Sequence, residues 1–217
     1  MEKNKRRFIT SVYIQDLFAI PLAKFCIQIG ISANLVTLLG LFLSIYSGYL
    51  FFYSNFVLGS IFFGIALIID STDGRVARGT NSFSKFGALL DSVTDKFRSI
   101  FVALFLLIGI GFSGKELIMY YFLYLLLPCI RFALNLLLKF KDDPTIIFWD
   151  STPMENWFKE KNIVGLYTGW ERSVMCLFIA PLTSFTIELF VLSICLEIIL
   201  YFLGLIIYFR KRNLFKI

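Results

Sequence analysis

Apolar residues fill six stretches of the 217-residue chain, near 34–53, 56–76, 86–110, 116–138, 170–187 and 189–209. Each approaches or exceeds the ~20 residues that carry an α-helix across a bilayer. In lipid, backbone N–H and C=O groups must bond within their own segment, so such stretches predict helices. Ahead of them, Gln15, Asp16, Lys24 and Gln28 give residues 9–28 a polar side, and Pro21 divides the run. This predicts an amphipathic helix on the membrane surface, broken at Pro21. The same polar residues argue against a cleaved signal peptide. The expected fold is all-α and integral to the membrane: six transmembrane helices preceded by an N-terminal amphipathic juxtamembrane helix, in one domain over 1–217 without internal repeats.

Composition agrees with that pattern. Hydrophobic residues make up 58% of the chain, with 26 Phe, where soluble domains hold about 45–50% apolar residues. The net charge of +6 does not imply nucleic acid, because the basic residues gather at the ends of apolar stretches, where lipid headgroups account for them. An even number of spans puts both termini on one side. Of the 21 Lys and Arg, all but Lys115 then fall on the side of the termini, the 75–98 turn and the 140–168 loop. By the positive-inside rule that side is cytoplasmic. Trp149 and Trp157 in the polar 140–168 loop suit a membrane interface. The four cysteines, Cys26, Cys129, Cys176 and Cys195, are dispersed in apolar stretches and read as packing residues. The chain has no histidine, which excludes histidine-based triads, general bases and metal sites.

Candidate chemistry concentrates where the second and third spans meet. Asp70 and Asp73 stand three residues apart, Asp91 and Asp95 four apart, so each pair shares a helix face. Four carboxylates at a membrane boundary repel one another and resist desolvation. Hard divalent cations answer both problems and bring substrate phosphates with them. Mg²⁺ or Mn²⁺ is expected, and two ions suit an in-line displacement at phosphorus. Gly74, Ala77 and Gly87 lie one turn from the aspartates and leave room for a flat ligand, while Arg78 offers a two-pronged contact to phosphate. Small residues also mediate helix packing, and charged residues at span ends can simply reach for water. Neither accounts for four aspartates at two helical spacings with an arginine among them.

The string Asp70-x2-Asp73-Gly74-x2-Ala77-Arg78-x8-Gly87-x3-Asp91-x3-Asp95 resembles the full signature of the CDP-alcohol phosphatidyltransferase family. The resemblance implies metal ligation by Asp70, Asp73, Asp91 and Asp95, with Asp95 as general base on the acceptor hydroxyl. It implies contacts to the CDP moiety from Gly74, Ala77, Arg78, Ser84 and Gly87. Asn34 and Thr37 lie in a segment similar to the family's Pro-Asn-x-x-Thr, with Ala33 in place of the proline; Asn34 could equally be a helix cap. The family also implies a homodimer, a lipid-linked CDP donor and release of CMP, in phospholipid biosynthesis.

CDP-diacylglycerol is the expected donor. For the acceptor, Arg131, Asn135 and Lys139 recur every four residues as a polar stripe, which puts Arg131 about 12 Å inside the helix end. Arg172 opens the fifth span from the same side, within a GWERS string similar to that of inositol-phosphate-type members. Arg131, Lys139 and Arg172 therefore suggest an anionic acceptor such as inositol phosphate or glycerol phosphate, unless Arg172 only pairs with Glu171. Transfer from CDP-choline or CDP-ethanolamine to diacylglycerol and phosphatidylserine synthesis remain alternatives. Outside enzymology the alternative is a small-solute transporter, which would be expected to show repeats. Glu197, inside the sixth span, either bonds between helices or marks a site.

Overall fold

The structure, a computed structural model, describes residues 8–138 and 143–214. Among the described residues the regular elements are helices. A π-helical turn at Ser11–Gln15 leads into α1 (Asp16–Gln28). The long helices α2 (Ala33–Phe52), α3 (Phe56–Gly79), α4 (Lys85–Ile110) and α5 (Gly114–Leu138) follow. The 143–168 stretch carries the short helices α6 (Pro144–Trp149) and α7 (Glu155–Lys161). α8 (Gly169–Val174) continues as a π turn and a 3-10 turn to Leu182, and α9 (Thr186–Leu214) closes the chain.

Local sequence sets the helix starts. Ser32 and Ser84 adopt extended backbone and cap α2 and α4, their hydroxyls accepting from Leu35 N and Gly87 N; each satisfies one otherwise unpaired N–H of a first turn. The first three long helices then pack with very close backbones. A Cβ on Gly109 of α4 would lie 1.8 Å from the Phe51 carbonyl oxygen at the end of α2, so only glycine admits this approach. Phe51, Phe63, Val102, Leu106 and Tyr124 are fully or almost fully buried and form the main core. That core lies away from the α3–α4 turn. The packing therefore fixes three helix ends beside one another: the start of α2, the end of α3 and the start of α4.

Three helical segments are long and apolar enough to cross a membrane among the described residues: Ala33–Phe52, Phe56–Gly79 and Thr186–Arg210. They match three of the six expected spans. The fifth expected span differs in form. Instead of one helix over 170–187, the chain makes three short helical pieces between Gly169 and Leu182, and then turns extended at Thr183, just past Pro181.

The N-terminal helix departs from expectation in two ways. It is not broken at Pro21: α1 runs through it. The proline removes one helical hydrogen bond, but Ala19, Ala23 and Cys26 are buried on both sides of it, and packing against α3 outweighs the loss. The polar side is also divided: Lys24 and Gln28 are exposed, but Gln15 and Asp16 turn inward. Gln15 accepts from the Ser71 hydroxyl at 2.5 Å, and Asp16 is ion-paired with Arg75. The polar residues at its start thus face α3, while Leu17, Phe18, Phe25 and Ile29 are exposed. Trp149 likewise turns inward, its indole N–H donating to the Tyr167 carbonyl at 2.9 Å. Cys26 and Cys176 are buried and Cys129 and Cys195 exposed, all as free thiols. Lys139 lies outside the described residues.

Candidate active site

Carboxylate oxygens of Asp70, Asp91 and Asp95 lie within 4.8 Å of one another. They come from the last turns of α3 and the first turns of α4, which are joined by the 80–84 turn and both pack on α2. The donor set is all oxygen and suits a hard divalent cation. One atom bears on the fit: Asp95 Oδ1 is buried without a hydrogen bond, its ion-pair contact to Arg98 Nη2 being 3.3 Å long, which leaves it lone pairs for a divalent ion.

Asp73 stands apart from this trio. It is buried, and its Oδ2 accepts from the Thr37 hydroxyl at 2.6 Å, which ties α3 to α2. Thr37, expected to meet CDP, thus also holds an aspartate. A second unforeseen partner is Arg98, one turn beyond Asp95. It is 3% exposed. Its Nη2 lies 2.5 Å from Asp70 Oδ1 and 3.3 Å from Asp95 Oδ1.

Two cavities flank the aspartates. The first, of about 210 Å³, opens between the start of α2 and the α3–α4 turn. Every residue expected to meet the CDP moiety lines it: Asn34 and Thr37 from α2, Gly74, Ala77 and Arg78 from α3, and Ser84 and Gly87 at the start of α4. Asp73 and Asp91 complete its wall. The Arg78 guanidinium lies over Gly74, 3.4 Å from where a Cβ would stand. A Cβ on Gly87 would sit 3.0 Å from both Asn34 Oδ1 and Ser84 Oγ, so any side chain there narrows the cavity. Ser32, not Asn34, caps α2.

The second cavity, of about 470 Å³, lies on the other side, against Asp95, Arg98, Tyr124, Trp170 and Arg172. Arg172 does not pair with Glu171. Its Nε meets Glu197 Oε2 at 2.7 Å, its Nη1 donates to the Tyr124 carbonyl at 2.9 Å, and its guanidinium lies 4.3 Å from the Tyr124 ring centre. Arg131 Nη1 meets the other oxygen of Glu197 at 2.6 Å, and its Nη2 reaches Asp143 at 3.3 Å. Glu197 is fully buried and bonds between helices. The two arginines are therefore joined through an acid 66 residues from one and 25 from the other in sequence. Spacing could not have shown this. Only Arg172 of the pair lines the cavity.

Comparison with known proteins agrees with this geometry. Residues 30–161 match the family model of CDP-alcohol phosphatidyltransferases. Over 93 residues the chain is 31% identical to archaetidylinositol phosphate synthase of Pyrococcus horikoshii, covering 43% of this chain and 47% of that protein. Over 98 residues it is 36% identical to phosphatidylinositol phosphate synthase of Streptomyces avermitilis, covering 44% and 37%. The matched stretches thus span less than half the length of these curated relatives. The crystal structure of Mycobacterium tuberculosis phosphatidylinositol phosphate synthase, in complex with manganese and citrate, aligns with a TM-score of 0.53 over 90% of this chain and 87% of that one. At 18% identity this shows a shared fold. The family match takes in more than half the chain, including all four aspartates and the first cavity, and on that ground the chain belongs to the CDP-alcohol phosphatidyltransferase family.

Proposed function

We propose that this chain is a membrane transferase that moves a phosphatidyl group from CDP-diacylglycerol to the hydroxyl of an anionic alcohol, inositol phosphate or glycerol phosphate, with release of CMP. The observation that carries this reading is the position of the aspartates between two cavities: Asp91 lines the smaller and Asp95 the larger, and their oxygens meet with that of Asp70. Donor and acceptor can thus approach one reaction centre from opposite sides.

The smaller cavity takes the nucleotide. Gly74, Ala77 and Gly87 leave width for it, Asn34 and Ser84 offer polar contacts, and Arg78 presents a fork to the pyrophosphate. Asp70, Asp73, Asp91 and Asp95 would hold Mg²⁺ or Mn²⁺, two ions in this reading, and the metal supplies neutralising charge to the pyrophosphate as CMP leaves. Asp95 takes the proton of the acceptor hydroxyl. The acceptor oxygen bonds to the phosphatidyl phosphorus, and the bond from phosphorus to the CMP oxygen breaks with its electron pair. Arg172 faces the larger cavity and contacts the acceptor's phosphate. Arg131 supports it through Glu197, and Lys139 completes the set.

Around this centre the reading extends to one domain over 1–217 with six spans, both termini and the site at the cytoplasmic face, and a homodimer. The exposed apolar face of α1 suits a helix seated in the membrane surface. The names of the Pyrococcus and Streptomyces relatives support the inositol phosphate choice. One observation favours a second acceptor class. Phe63, Leu67, Ile100, Leu125 and Pro128 also line the larger cavity, and such a wall would suit diacylglycerol with a CDP-choline or CDP-ethanolamine donor.

CMP release from purified protein with Mg²⁺ or Mn²⁺ decides. CDP-diacylglycerol is paired in turn with inositol phosphate, glycerol phosphate, serine and inositol; CDP-choline and CDP-ethanolamine are paired with diacylglycerol. Turnover with a phosphorylated alcohol is the expected result. Turnover only with diacylglycerol selects the second class, and none with any pair overturns the transferase reading.

A further inference from the structure

Arg98 lies among the aspartates yet belongs to neither cavity's expected chemistry. Its side chain is 3% exposed, and one nitrogen, Nη2, reaches Asp70 at 2.5 Å and Asp95 at 3.3 Å, while Nε has no hydrogen-bond partner. Two members of the trio that converges within 4.8 Å therefore share one permanently charged group, since a guanidinium does not give up its proton. Among the described residues no other cation is ion-paired with the trio: Arg172 and Arg131 are paired with Glu197, and Arg78 and Lys96 are exposed.

A fixed positive charge at this distance has a definite effect on a second cation. It repels an incoming divalent ion and occupies lone pairs that would otherwise ligate it, and with so little exposure to water its charge is poorly screened. It also prevents Asp70 and Asp95 from splaying apart, so the ligand geometry is kept. Resting on the reading that the aspartates hold metal, we infer that Arg98 is a positioning residue that acts as a tethered counter-cation: it keeps Asp70 and Asp95 together and holds the divalent-metal affinity of the trio below what three carboxylates alone would give. Full occupancy then depends on the donor's pyrophosphate, whose negative charge offsets the guanidinium and adds oxygen ligands.

The test is Mn²⁺ binding to the full chain in detergent, read from the spectroscopic signal of free Mn²⁺ and therefore independent of turnover. Arg98→Gln should bind Mn²⁺ at least about tenfold more tightly than the unaltered chain, because the repulsion between the guanidinium and the ion is gone. Arg98→Lys, which keeps a cation, should stay close to the unaltered affinity. A group of purely structural importance would lower thermal stability without tightening metal binding. Should Arg98→Gln not fold, Asp70→Asn/Arg98→Gln is compared with Asp70→Asn, and the tightening is expected there too. Equal or weaker binding after loss of the arginine overturns the inference and leaves the metal reading standing. If the unaltered chain binds no Mn²⁺ even with the CDP donor, the metal reading falls and the inference with it.

Discussion

Asp95 joins the two halves of the proposed reaction. It stands on the wall of the larger cavity, and one of its oxygens is buried without a hydrogen bond. Asp95→Asn keeps the shape and removes both the basic oxygen and a charge. CMP release should fall by about 10²- to 10⁴-fold, the usual contribution of a positioned general base, while the melting temperature in detergent holds; retained turnover would remove Asp95 from that role. At this scale much was legible in the sequence. The four-residue spacing does bring Asp91 and Asp95 to one cluster with Asp70, whereas Asp73, three residues from Asp70, is held by Thr37 outside it; the residues expected around CDP do line one cavity. Arg98 was not legible. A basic residue near the start of an expected span, two positions from Lys96, reads as part of the charge bias that orients the chain, and its tie to Asp70 crosses 28 positions of sequence.

Among the elements, the Glu197 cluster binds the second half of the molecule together. It joins α5 through Arg131 and α8 through Arg172 to α9, and Arg131 reaches on to Asp143, the N-cap of α6. A Cβ on Gly169, at the start of α8, would lie 2.7 Å from Arg131 Nη1 and 2.9 Å from Glu197 Oε1, so the helix start is shaped around the ion pair. Glu197→Ala leaves a buried guanidinium, Arg172, and a largely buried one, Arg131, without their shared acid. Breaking a buried pair in this way costs about 3–5 kcal/mol, and thermal unfolding in detergent should show a loss of that order. If Arg172 also grips the acceptor, the variant that survives should show a raised acceptor KM and an unchanged donor KM. Sequence gave the long apolar helices because period and length suffice for them. It missed the shape of the fifth expected span and the inward turn of Gln15 and Asp16, because partners distant in the chain decide those: Ser71 and Arg75 for α1, and Glu197 for α8.

For the whole molecule, the arrangement of charge and apolar surface bears on its orientation in the membrane. Large apolar side chains such as Phe42, Tyr49, Phe122, Leu192 and Phe202 are exposed along the flanks of the long helices, as lipid contact requires. The aspartates, Arg78 and Lys85 gather at the end where α3 gives way to α4, and Lys115 stands at the far end, in the first turn of α5. In the proposed reaction the CDP headgroup, the divalent cation and the released CMP all meet water at this end, so the α3–α4 turn is expected to face the compartment that holds nucleotides. The basic bias points the same way. Cysteine labelling tests this directly. In a chain whose four native cysteines are replaced by alanine, Ser82→Cys lies in the α3–α4 turn and Ser113→Cys in the opposite turn before α5. A membrane-impermeant maleimide should label Ser82→Cys only in inside-out vesicles and Ser113→Cys only in right-side-out ones. The reversed pattern would put the aspartates outside, away from the cytosolic nucleotide pool. Labelling of both positions from one face would mean that α4 does not cross, and the six-span reading would fail with it.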